Sequence, residues 1–79
     1  MTLVYDGQSA EFHRALNESK RALGLHLVSA LHVRLGPRQE LEVLALRGPA
    51  SAIRSEADSI RSLKGILHGK VVFTTQAAP

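Results

Sequence analysis

Apolar and polar positions along the chain divide it into six segments. Leu3-Val4-Tyr5 is a short β-branched and aromatic run closed by Asp6-Gly7, which predicts a strand and a turn. From Ser9 to Leu23, the residues Phe12, Leu16, Ser19 and Leu23 recur at three- and four-residue steps. That spacing marks one face of an amphipathic helix, and Gly24 is its stop signal. Leu25 to Leu35 alternates, with Leu25, Leu27, Leu31, Val33 and Leu35 pointing one way and His26, Val28, Ala30, His32 and Arg34 the other. Gly36-Pro37-Arg38-Gln39 is a tight connection, and Glu40 to Arg47 alternates again, so the two stretches predict an antiparallel hairpin. Gly48-Pro49 opens a second helix striped by Ile53, Ala57, Ile60 and Leu63 and ended by Lys64-Gly65. Val71-Val72-Phe73-Thr74 predicts the last strand. The domain is expected to cover residues 1–76, with 77–79 as a tail.

The order is βαββαβ. With right-handed crossovers, both helices fall on one face of a four-stranded antiparallel sheet, an α+β, ferredoxin-like plan. The other face has no helix to cover it. From the hairpin it is expected to carry Val28, Ala30, Leu44 and Leu46, mixed with His26, His32, Arg34, Glu40 and Glu42. An apolar sheet face of this kind calls for a partner sheet, and a second copy of the chain is the simplest one. A homo-oligomer is therefore expected.

Composition narrows the function classes. Seventy-nine residues make one domain, and no cysteine is present to staple it. Oligomerisation or a metal is the remaining supplement for so small a core. Thiolate catalysis and thiolate metal sites are excluded, and a reducing cytoplasm fits. The net charge of +3 is scattered, and Tyr5, Phe12 and Phe73 all fit core positions. No stacking platform for nucleic acid follows, so no direct nucleic-acid binding is expected. No apolar stretch approaches the ~20 residues of a membrane helix, and the N-terminus has no signal-peptide pattern. No phosphate loop, nucleophile elbow or acid–base carboxylate pair is present, so no enzyme is expected.

The polar candidates lie on the hairpin. His32 and Arg34 are two apart on one strand and point alike, and Glu40 opens the next strand near Arg34. The three can form a metal or anion site between subunits, or a structural charge cluster at an oligomer rim. His13 lies on the flank of the first helix. His26 is about 20 Å from His32 along the strand at ~3.3 Å per residue, too far to share a metal with it. His68 precedes the last strand and could line a loop.

Val4-Tyr5-Asp6, Leu31-His32-Val33-Arg34, Glu40-Leu41-Glu42-Val43, Leu46-Arg47-Gly48 and Gly65-Ile66-Leu67-His68-Gly69 occur in that order. Together they resemble the C-terminal regulatory domain of nickel-responsive transcription regulators of the NikR type, over nearly the whole chain. The resemblance implies an ACT-like βαββαβ fold, a tetramer, and a ribbon–helix–helix DNA-binding segment on the N-terminal side. It also implies a square-planar nickel site of three histidines and one cysteine between subunits. On that pattern His32 matches the first strand histidine and is kept. Arg34 takes the place of the second, Glu40 that of the cysteine, and Arg21 that of the histidine from the neighbouring subunit. Guanidinium groups stay protonated and have no lone pair for a metal. The resemblance therefore implies a degenerate nickel site, in which Arg34 and a neighbour's Arg21 pair with Glu40.

The expected function is a NikR-like regulatory module, dimeric or tetrameric and cytoplasmic. It is taken as a stand-alone member without its own DNA-binding segment, able to pair with a DNA-binding homologue. Two alternatives stay open. One is a divalent-metal sensor using His32 and Glu40 with His13 or His68 as accessory ligands, for nickel or another metal. The other is an ACT-like module that holds a small organic ligand through Arg34.

Overall fold

A computed structural model describes residues 1–74. The elements are β1 (Thr2–Asp6), α1 (Ala10–Leu23), a 3-10 turn (Gly24–His26), β2 (Leu27–Arg34), β3 (Gln39–Leu46), α2 (Ala50–Arg61) and β4 (Ile66–Lys70). The strands form one antiparallel sheet in the order β2-β3-β1-β4. The βαββαβ plan read from the sequence is the observed one. The expected tail lies outside the described residues.

Each helix begins and ends for a local reason. Ser9, in extended conformation, accepts a hydrogen bond from the Phe12 amide at 3.2 Å and caps α1. Gly24 ends it at φ +55°, where a side chain would be strained. Phe12, Leu16 and Leu23 from α1 meet Leu3 and Tyr5 of β1, Leu44 of β3 and Ile60 of α2 in the core. Ser19 is only partly buried, a small residue on that stripe.

The last strand is Ile66–Lys70, not Val71–Thr74. Its partner β1 has five residues, and the ladder ends where Thr2 meets Lys70. Beyond that point residues 71–74 have no strand to pair with, whatever their β propensity. Phe73 is correspondingly no core residue: it is 43% exposed, with the Arg54 guanidinium 5.1 Å from its ring.

The faces of the hairpin are the reverse of the sequence expectation. Leu3 and Tyr5 point into the core, and they register against Glu42 and Glu40. Glu40, Glu42, Leu44 and Leu46 therefore face the helices, as do their β2 partners Arg34, His32, Ala30 and Leu27. The cause is a register shift between Leu27 and Ser29. Val28 is the inserted residue, so Leu27 joins the core while Leu31 and Val33, in phase with it on paper, turn to the open face. The open face carries Val4, Leu31, Val33, Leu41 and Val43, of which Leu31 is 60% exposed. It is apolar, as expected, but made of other residues. From Val28 to Arg34 every residue of the edge strand β2 is exposed.

Candidate functional site

Two carboxylates on the helix side of β3 define the site. Glu40 and Glu42 are two apart, in phase with the buried Leu44, and both are buried themselves. A buried carboxylate must be paired and hydrogen-bonded to be tolerated, so their partners are informative.

Glu42 sits deeper in the fold. The Tyr5 hydroxyl donates to its Oε1 at 2.6 Å. Oε2 has no hydrogen bond of ordinary geometry; the Lys20 ammonium, 2.5 Å away, supplies its compensation as an ion pair. Burial pushes the Tyr5 phenol well above its ordinary pKa, and the Glu42 carboxylate accepting its proton adds to the rise. This triad ties α1 to β1 and β3. Loss of a single partner costs about 1–3 kcal/mol, because the other is left buried and unpaired.

Glu40 stands at the mouth of the same face. His32 Nε2 lies 2.8 Å from its Oε1, and His13 Nε2 lies 3.8 Å from its Oε2. His13 Nε2 is also 2.7 Å from the Gly7 carbonyl oxygen. A carbonyl only accepts, so in that arrangement His13 carries its proton on Nε2. Gly7 presses against the carboxylate from behind: a Cβ placed there would lie 1.4 Å from Glu40 Oε2. Glu40 is thus held between one histidine from β2, one from α1 and the backbone of the β1–α1 turn.

The structure brings together His13, His32 and Glu40, and it separates the other sequence candidates. Arg34 is the cross-strand neighbour of Glu40, yet its guanidinium makes no ion pair among the described residues. Arg21 is exposed in the last turn of α1. His68 lies within β4, opposite Val4 and on the open face, so it cannot join His32 and Glu40 in the same chain. His26 belongs to the 3-10 turn and not to the open face: its Nδ1 meets both oxygens of Glu56 on α2 at 3.1 Å. Sequence reasoning missed Tyr5, Lys20 and Gly7. The available signal was the pattern Glu40-Leu41-Glu42-Val43-Leu44, which puts two carboxylates in phase with a core leucine.

Among the described residues no three His, Asp or Glu side chains stand at metal-coordinating spacing. His32 is engaged with Glu40, and Arg34 beside it offers no lone pair. Within one chain this cluster therefore offers imidazole and carboxylate donors, and Arg34 adds none.

Curated relatives give the comparison. Proteins provisionally named nickel-responsive regulators match from Geobacter sulfurreducens at 41% identity and from Pyrococcus furiosus at 39%. Each alignment covers 95% of this chain and 54% of the relative. The chain thus spans about half the length of the curated relatives it matches. The sequence profile of the family described as the NikR C terminal nickel binding domain matches residues 1–74, and the chain belongs to that family.

Proposed function

We propose that this chain is a regulatory and assembly module of the NikR type in which an internal histidine–carboxylate contact has replaced the nickel site. The observation that carries the reading is the 2.8 Å contact between His32 Nε2 and Glu40 Oε1, made by a carboxylate that is 8% exposed. It engages the one histidine that matches the family's ligand pattern. The exposed Leu31, Val33 and Val43 on the open face support a homo-oligomer, dimeric or tetrameric, as the working form. The module has no reaction of its own, acts in the cytoplasm, and works with a DNA-binding homologue. No helix among the described residues is long and apolar enough to cross a membrane.

Native mass spectrometry of the assembly before and after incubation with nickel tests the proposal. An oligomer of unchanged subunit number that retains no nickel is expected. Stoichiometric nickel in the parent overturns it.

A second reading has a specific observation in its favour: two imidazoles, His13 and His32, present Nε2 to one carboxylate. On this reading His13, His32 and Glu40 rearrange to take a divalent ion such as zinc, for which imidazole and carboxylate are suitable donors. Zinc retained by the parent and lost in His32→Ala, with the oligomer intact, supports the second reading over the first.

A further inference from the structure

We propose that His26 and Glu56 form a register latch, whose contact holds the start of β2 one residue out of step with the rest of the strand. The latch decides whether Leu27 or Val28 enters the core. The inference goes beyond the reading above and does not depend on it. From Ser29 to Arg34, β2 pairs with β3 in one unbroken register, Ser29 opposite Ala45 and Arg34 opposite Glu40. Carried back toward the start of the strand, that register would set Val28 opposite Leu46 and Leu27 opposite Arg47. The structure instead sets Leu27 opposite Leu46, and the Arg47 amide donates to the His26 carbonyl at 2.9 Å. Leu27 packs against the core, and Val28 is 54% exposed.

The core alone does not force this choice. Leucine and valine differ by one methylene, so either can close it, and a bulge gives up ladder pairing that a straight strand keeps. A contact outside the ladder must therefore hold His26 and Leu27 in place. His26 Nδ1 is hydrogen-bonded to both oxygens of Glu56 at 3.1 Å. A carboxylate only accepts, so the ring carries its proton on Nδ1. Glu56 is a firm anchor, because α2 is fixed through the buried Ile53, Ala57 and Ile60. The ring also lies against Gly48, where an added Cβ would stand 2.8 Å from its Cδ2. The 3-10 turn completes the hold, since the Leu27 amide donates to the Gly24 carbonyl. In the straight register His26 would sit opposite Gly48 and not Arg47, a step of ~3.3 Å that takes the ring off Glu56. Leu27 would then join Leu31 and Val33 on the open face, and Val28 would take its place beside the core. His26 and Glu56 are thus positioning residues that set how far the apolar open face extends.

Cross-strand NOEs in the NMR spectra of the full chain test the latch. In the parent, backbone protons of Leu27 meet those of Leu46. In His26→Ala and in Glu56→Ala, Val28 should take that place and Leu27 should face Arg47, with its methyl groups out of the core. Glu56→Gln keeps an acceptor oxygen for the Nδ1 proton and should keep the parental register. Either alanine variant folded in the parental register overturns the proposal. Deletion of Val28 decides the case in which His26→Ala does not fold. Without the extra residue Leu27 meets Leu46 in a straight strand, and the latch has no bulge to hold. His26→Ala should therefore fold in the deletion chain and lower its Tm by less than it does in the parent. Equal loss in both chains, or failure to fold in both, overturns the proposal.

Discussion

The carboxylate of Glu40 occupies the space into which a side chain on Gly7 would project, 1.4 Å from Oε2 to the ideal Cβ position. Gly7 is required there by close approach, since the backbone of the β1–α1 turn forms the back wall of the site. Gly7→Ala should expel the carboxylate and leave the His32 and His13 rings without their partner. Overpacking of this kind costs about 1–3 kcal/mol. Urea unfolding gives the stability loss, and the imidazole proton shifts of His13 and His32 report the lost contact. A variant with parental stability and unchanged histidine shifts would show that the turn yields instead.

Gly65 is constrained twice. Its φ is +114°, a region side chains rarely adopt, and the Phe12 ring already fills the place of a Cβ. Gly65→Ala should therefore lose stability from backbone strain and from displacement of a core ring, about 1–3 kcal/mol. For a domain of this size that lowers Tm by several degrees, about 4–8 °C per kcal/mol. Calorimetry against Gly36→Ala, where nothing lies within 4 Å of the added carbon, separates a specific loss from a general glycine effect.

Tyr5 supplies a pH prediction. Its phenol is raised in the fold above the ordinary 10.0, first by burial and then by the hydrogen bond to Glu42. The folded state therefore holds this proton more tightly than the unfolded chain. The stability it represents is complete below pH 10 and is lost as pH rises above it toward the folded value. Tyr5 is the chain's one tyrosine, so phenolate absorbance reports on it alone. Phenolate should appear together with loss of helical circular dichroism in an alkaline titration. Phenolate formed near pH 10 in a fully folded domain would refute the buried Tyr5–Glu42 contact. Tyr5→Phe should remove this part of the alkaline instability while costing about 1–3 kcal/mol at neutral pH, because Glu42 Oε1 loses its donor.

The elements were legible because their signals are local: the Ser9 cap, the glycine stops, two helical stripes and the Gly36–Gln39 turn. The faces were not, because strand phase depends on a register that no single strand determines. Leu25 to Leu35 looks like one alternating strand only if nothing is inserted, and the extra residue at Val28 exchanges the faces halfway. The same error placed Glu40 and Glu42 on the open face of the sheet. Their phase with Leu44, itself 1% exposed, held the correct answer, since charged residues on a buried face demand partners such as Tyr5 and Lys20. His32 and Glu40 were legible as a pair because the hairpin brings them to one face. His13 was less so, since its contact depends on how α1 lies over the sheet.

The proposed loss of the nickel site is testable by its reversal. His32, Arg34 and Glu40 share one face at the hairpin end, with Arg34 directly across from Glu40. On the resemblance to NikR-type domains, Arg34→His and Glu40→Cys return an imidazole and a thiolate beside His32, and Arg21→His returns the neighbour's imidazole. The R21H/R34H/E40C triple variant should bind nickel stoichiometrically in the oligomer, with thiolate-to-nickel absorption from the only cysteine in the chain. Glu40→Cys alone should not, because Arg34 still presents a cation without a lone pair where a donor is needed. The change also removes a buried carboxylate, so the variant should lose the His32 contact without leaving an unpaired charge. A triple variant that folds and assembles but takes no nickel would mean that the ligand positions do not transfer to this chain. Nickel bound equally by the parent would mean that the arginines were never the obstacle, and that His32 exchanges Glu40 for the metal.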